Sequence, residues 1–337
     1  MTGRSAGVRV VGRVVISLAL VCAAVTTPHL VHARQAPSRF AMLVEGVSGD
    51  DEFAVLHRKW LDSMVSLLET KFGFEASHVL VLAETPKAAE SKSTAEGVKT
   101  ALAQLAKETK ADDLVFVMLI GHGGADATDA KFNLVGPDLS ASEWNALLKP
   151  VAGHLVFVDA TSASFPYLKG LAAPGRVVIT ATNSAAQKYH TMFTDAFIQA
   201  LSSPAADVDK NGRISILEAF VYASRLVKES YEQRGVLPTE HAVFDDTGQG
   251  LPHDAPVAGA AGTVAGLTYL DAVAAPTSSD PALQELLKKQ QALTQQVDDL
   301  RKRQPSMTPD AYDQEFERLI VELSVVSRDV RKRSGGG

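Results

Sequence analysis

Past residue 33 the chain has no cysteine, its single thiol being Cys22. Disulfides are therefore excluded, and so is a thiolate nucleophile; an oxidising compartment is tolerated but not exploited. Long apolar runs are also lacking. No segment beyond residue 33 offers the roughly 20 apolar residues that a membrane-spanning helix needs. Basic residues are in deficit, 33 Lys+Arg against 39 Asp+Glu. The glycines at 121, 123 and 124 lack the lysine and the spacing of a phosphate-binding loop. His190 and His241 read as lone histidines, and no His/Asp/Glu spacing suggests zinc.

The first 33 residues carry Arg4, Arg9 and Arg13 but no acid, then an apolar run from Val14 to Val25, then Val31-His32-Ala33. That order predicts a secretory signal peptide, residues 1–33, and a secreted or periplasmic product. Val21, preceding Cys22, is not the small residue expected of a lipid-attachment signal. Removing this segment takes three arginines and no acids, leaving a formal net charge of −9. So acidic a chain is not expected to bind nucleic acid or an anionic membrane.

Beyond the leader, strand and helix signals alternate. Phe40–Val47, Val79–Leu82, Leu114–Ile120, Leu155–Val158 and Val177–Thr180 read as strands. Phe53, Leu56, Trp60, Met64 and Leu67 recur at helical spacing, as do Val98, Leu102 and Leu105 behind a capping-box pattern at Ser93–Glu96. A second capping box, Ser140–Glu143, opens a helix through Leu148, and another helix is expected from about Thr191 to Leu201. This predicts an α/β domain over residues 34–251, a three-layer, mainly parallel sheet flanked by helices. In such sheets ligands bind beyond the carboxyl ends of the strands, where His122 and Thr161 both emerge. Residues 252–279, rich in Ala, Gly and Pro, read as a linker or loose wrap. Heptad stripes on either side of Gln304-Pro305 then predict a helical hairpin over 280–333, coiled-coil-like, with Gln290 at a polar seam position.

Two turns carry a resemblance. Gly121-His122-Gly123 after one strand and Asp159-Ala160 after the next, with Arg176–Thr182 beyond, resemble the caspase–haemoglobinase fold of caspases, metacaspases and bacterial legumain-like peptidases. The likeness covers roughly Phe40 to Gly250. It implies a catalytic histidine at His122 and a cysteine where Thr161 stands. A threonine hydroxyl has a far higher pKa than a thiol and a crowded β-carbon, so it needs a well-aligned base. The dyad is expected to be degenerate, with Ser162 and Ser164 as other hydroxyls on the same turn.

Asp207-Val-Asp209-Lys-Asn211-Gly-Arg213-Ile-Ser215-Ile-Leu-Glu218 fits the twelve-residue EF-hand loop. Oxygen side chains stand at positions one, three and five, with glycine at six. The Arg213 carbonyl falls at seven, Ser215 at nine and a bidentate glutamate, Glu218, at twelve. Bound Ca2+ of weak, extracellular-type affinity is expected, with the incoming helix cut short by Pro204. Thr239-Glu240-His241 through Asp245–Gly250 resembles a second acidic, Gly-rich turn of bacterial legumain-like relatives, has too few ligands for a calcium cage and reads as a surface turn.

These residues suggest three functions. The preferred one is a calcium-binding pseudoprotease holding a peptide or protein partner in the sheet-edge crevice. The others are a peptidase using Thr161 or a nearby serine with His122 as base, and an assembly module that self-associates through 280–333.

Overall fold

The computed structural model describes residues 1–3, 37–125, 129–258, 260–272 and 280–334. Cys22 and nearly all of the signal-peptide segment lie outside them. Among the described residues no helix is long and apolar enough to cross a membrane.

From Pro37 onward the chain forms one compact unit. Its elements are β1 (Arg39–Glu45), α1 (Asp51–Ser66), β2 (Val79–Ala83), β3 (Ser91–Lys92), α2 (Ala95–Glu108) and β4 (Leu114–Ile120). Next come β5 (Gly123–Ala125), β6 (Ala130–Phe132), β7 (Leu139–Ser140), α3 (Ala141–Leu148), β8 (His154–Asp159), α4 (Phe165–Leu171) and β9 (Arg176–Thr180). The last are α5 (Phe193–Ser202), α6 (Ile216–Arg234), β10 (Val243–Asp245), α7 (Thr263–Gly266), α8 (Pro281–Arg303) and α9 (Pro309–Ser334).

Seven strands form the main sheet in the order β10-β9-β8-β4-β1-β2-β3. All neighbours are parallel except β10, which runs antiparallel to β9 with Val243 opposite Thr180. Strand alternation divides the core. Phe116, Met118 and Ile120 of β4 join Trp60, Leu61 and Met64 of α1 and Phe197 and Phe220 of α5 and α6. Val115, Val117 and Leu119 face the other way, with Leu102, Trp144 and Leu168 of α2, α3 and α4. Two covered faces explain why β4 is apolar throughout. The fold is thus a three-layer α/β domain with a mainly parallel sheet, followed by a helical hairpin.

Local signals differ in how closely the structure honours them. The capping box at Ser140 and Glu143 is complete. At α2 the cap falls one residue later than the Ser93 pattern predicts: the Thr94 hydroxyl accepts from Gly97 N–H, while Ser93 is buried. The short β5-β6-β7 sheet, α4 and α7 carry little periodicity and were not expected from sequence. Of the expected linker 252–279, residues 259 and 273–279 lie outside the described residues, and the segments 252–258 and 260–272 lie against the α/β domain. His253 pairs with Phe244, and Ala261, Ala265 and Leu270 enter the core.

In the hairpin, Leu293, Val297 and Leu300 of α8 meet Leu319 and Val326 of α9 in a separate apolar core. Gln290 donates to the Ser327 hydroxyl across the seam at 2.9 Å. A 3-10 turn at Gln304–Ser306 joins the helices, where proline interrupts the pattern.

Candidate functional site

Parallel pairing of β4 with β8 sets Leu119 opposite Asp159, so His122 and Thr161 leave the same sheet edge on adjacent turns. The turns pack tightly. A Cβ on Gly123 would lie 2.6 Å from both Ser162 O and Thr161 Oγ1, so only glycine fits. Gly121, at φ +140°, packs against the Gly46 backbone of the neighbouring strand end.

The two candidate residues are neighbours but not partners. Thr161 is 1% exposed, and its hydroxyl donates to Asp159 Oδ1 at 2.6 Å. The ring of His122 meets the Ser48 carbonyl through Nε2 at 3.1 Å. Among the described residues no hydrogen bond joins His122 to Thr161. The other hydroxyls are also committed: Ser162 Oγ donates to Gly123 O at 2.9 Å, and Ser164 Oγ pairs with Thr182 Oγ1 at 3.0 Å. Asp159 is fully buried, and burial lifts its carboxyl to about 7 against the lowering influence of Thr161. Ala163, in the same turn, holds a left-handed φ of +53° that alanine adopts at some strain.

His122 belongs instead to a second cluster. His57 from the inner face of α1 and His190 from the loop before α5 converge on it. Ring centroids lie 5.0 Å apart for His57 and His122, 5.7 Å for His122 and His190, and 6.0 Å for His57 and His190. One nitrogen from each ring falls within 4.8 Å of the others. Phe53 and Trp60 complete an aromatic wall, Trp60 lying parallel to His190 and donating its N–H to Asp195. His57 is 0% exposed and neither ring nitrogen bonds any described group; His190 Nδ1 is likewise buried and unbonded. Each such buried nitrogen costs about 1–3 kcal/mol if left without a partner. Burial is the main cause holding all three imidazoles below their usual range, His57 and His190 at about 4. His190 is therefore no lone histidine: the fold sets it beside His57 and His122, which no sequence spacing links.

The loop 207–218 lies between α5 and α6, with α5 ending at Ser202 and a 3-10 turn at Pro204–Ala206 leading in. Carboxylate oxygens of Asp207, Asp209 and Glu218 come within 4.8 Å of one another. Backbone N–H groups hold them there: Asn211 and Gly212 donate to Asp207, and Val208 to Glu218. Gly212 takes a φ of +84°, as the sharp turn requires. Of the other expected ligands, the Asn211 side-chain oxygen accepts from Arg213 N–H, and the Ser215 hydroxyl donates to Glu218. The Arg213 guanidinium is drawn away to Asp271 and stacks on Tyr269. Ser215 bridges Tyr269, so the strand partner of this loop comes from the wrapping segment.

The second acidic turn lies only partly at the surface, with His241 and Gln249 exposed. Asp245 and Asp246 are buried; Asp245 accepts from Thr247 and Gly250 N–H, and Asp246 from Gly262 and Ala265 N–H. A cavity of about 350 Å³ opens beside β9 and β10, lined by Asn183, Phe193, Lys228, Glu240 and His241 among others. Asn183 follows β9 and Val243 begins β10, so this cavity shares the sheet edge with His122 without being lined by it.

The sequence matches no protein-family model and no curated protein. Among solved structures it is similar to a structural-genomics target from Geobacter sulfurreducens, at 15% identity over 62% of this chain and 92% of that one, TM-score 0.40. It is also similar to the Drosophila initiator caspase Dronc, at 13% identity over 64% and 81% of the two chains, TM-score 0.39. Caspase-1 from Spodoptera frugiperda is similar at 12% identity over 57% and 79%, TM-score 0.38. Likeness at this level leaves the chemistry of the site to be read from the chain's own residues.

Proposed function

We propose that this chain is an exported, calcium-stabilised pseudoprotease that holds a peptide or protein segment at its sheet edge without cleaving it. One observation carries the reading: the Thr161 hydroxyl is buried and donates to Asp159, while His122 bonds elsewhere. A hydroxyl becomes a nucleophile only when an aligned base takes its proton along the path to the substrate. Thr161 has neither the alignment nor the exposure.

The cavity by β9 and β10 supports a binding role, since Asn183, Lys228 and His241 line it on the edge where ligands of parallel sheets are held, while the Glu240 carboxylate is engaged by Met192 and Phe193 N–H. Loop 207–218 supports calcium as a structural ion, because it joins α5 and α6, both of which pack on the core layer next to this edge.

Hydrolysis of a broad peptide library by the protein, with and without calcium, beside Thr161→Ala and His122→Ala variants, tests the proposal. No cleavage by folded protein is expected. Cleavage lost in both variants would instead establish a cysteine-free peptidase.

A further inference from the structure

We propose that His57, His122 and His190 form a binding site for one zinc-class divalent transition ion, leaving a fourth position open to solvent. Three features of the geometry support it. Each residue brings a ring nitrogen within 4.8 Å of the other two. Tetrahedral zinc, with Zn–N near 2.0–2.1 Å, sets its nitrogens about 3.3 Å apart, inside that bound. His57 is 0% exposed with both nitrogens unbonded, and His190 Nδ1 is buried and unbonded, so buried ring nitrogens without protein partners stand in the cluster.

The surroundings resemble those of a metal ligand set. The Ser48 carbonyl against His122 Nε2 is the kind of backbone acceptor that fixes the orientation of a ligating imidazole. Phe53 and Trp60 wall the cluster and orient the rings. Three imidazoles without a carboxylate select a borderline-soft transition ion over calcium or magnesium. His57 is enclosed while His122 and His190 are half-buried, so the ion enters, and its fourth position opens, on their side. The site lies apart in chain and chemistry from the oxygen-lined loop 207–218. It is also independent of whether the sheet edge holds a peptide.

The test uses untagged protein without the 1–33 signal segment, whose Cys22, His29 and His32 are themselves zinc-binding side chains, stripped of metal by a chelator and then dialysed. Calorimetric titration with Zn2+ in excess Ca2+ is expected to show one ion per chain. Co2+ is expected to give the intense visible absorption of a four-coordinate nitrogen-ligated ion. His190→Gln and His122→Gln, both at half-buried positions, are each expected to weaken Zn2+ binding by about 100-fold or more while the circular dichroism spectrum is retained. The proposal is overturned by absence of Zn2+ binding, by abolition of binding in excess Ca2+, or by unchanged affinity in both variants. The Co2+ spectrum of the unmodified protein decides the matter should a variant fail to fold: only the weak absorption of six-coordinate Co2+ would sink the site.

Discussion

The hydroxyl of Thr161 donates to the buried carboxyl group of Asp159, two residues earlier on the same turn, across 2.6 Å. That contact orders the turn and draws the hydroxyl inward, away from the neighbouring histidine. The two residues act as a structural unit.

Burial holds the Asp159 carboxyl at about 7, above its unfolded value, so between the two the folded state keeps a proton that the unfolded state has released. The stability from this group is fully present below the unfolded pKa and is lost as pH rises through 7. Asp159→Asn removes this dependence. Urea unfolding at pH 5 and pH 8 should show the unmodified protein losing stability relative to the variant, by an amount on the order of 3 kcal/mol. Parallel curves for the two proteins would mean that Asp159 is ionised in the folded state throughout.

The contact between the two turns gives a paired test at adjacent glycines. A Cβ at Gly123 meets Ser162 O and Thr161 Oγ1 at 2.6 Å, whereas one at Gly124 meets nothing within 4 Å. Gly123→Ala is expected to destabilise by about 1–3 kcal/mol through overpacking, and Gly124→Ala to be near neutral. Equal denaturant midpoints for the two variants would show that the turns do not pack as described.

Calcium should raise the melting temperature. With a dissociation constant of about 10⁻⁴–10⁻³ M, about 5 mM calcium stabilises by about 1–2 kcal/mol. For a domain of this size that is about 2–8 °C. Glu218 also caps α6 with Ser215, so Glu218→Gln lowers stability even without the ion. The informative readout is the calcium-dependent increment, expected to vanish in the variant; an increment that survives would place the ion elsewhere.

The hairpin's apolar stripe is spent within the hairpin, Leu300 and Leu319 both being buried there. Deleting residues 280–334 is therefore expected to leave the α/β domain cooperative in unfolding. Light scattering before and after deletion should show a mass change equal to the deleted residues alone. A drop from dimer to monomer would make the hairpin an assembly element.

Much of the fold is legible in the sequence because its causes are local. The apolar run Leu114–Ile120 announces a buried strand by its composition alone, and Ser140 with Glu143 caps a helix through a contact spanning three residues. Loop 207–218 is legible for the same reason: one twelve-residue segment holds every candidate ligand, and Gly212 sets the turn that gathers them. The β5-β6-β7 sheet and α4 are not, being too short for a period to show.

The histidine cluster has the opposite origin. His57, His122 and His190 stand on α1, after β4 and before α5, too far apart in the chain for any spacing rule to connect them. One local sign exists, since His57 falls between Phe53 and Trp60 on the apolar stripe of α1. Sequence alone sufficed for whatever depends on side-chain period, turn chemistry and the missing thiol. The choice of the Thr161 hydroxyl between Asp159 and His122, and the meeting of three distant imidazoles, fell to tertiary structure, because parallel strand register and helix packing set those distances through contacts between remote parts of the chain.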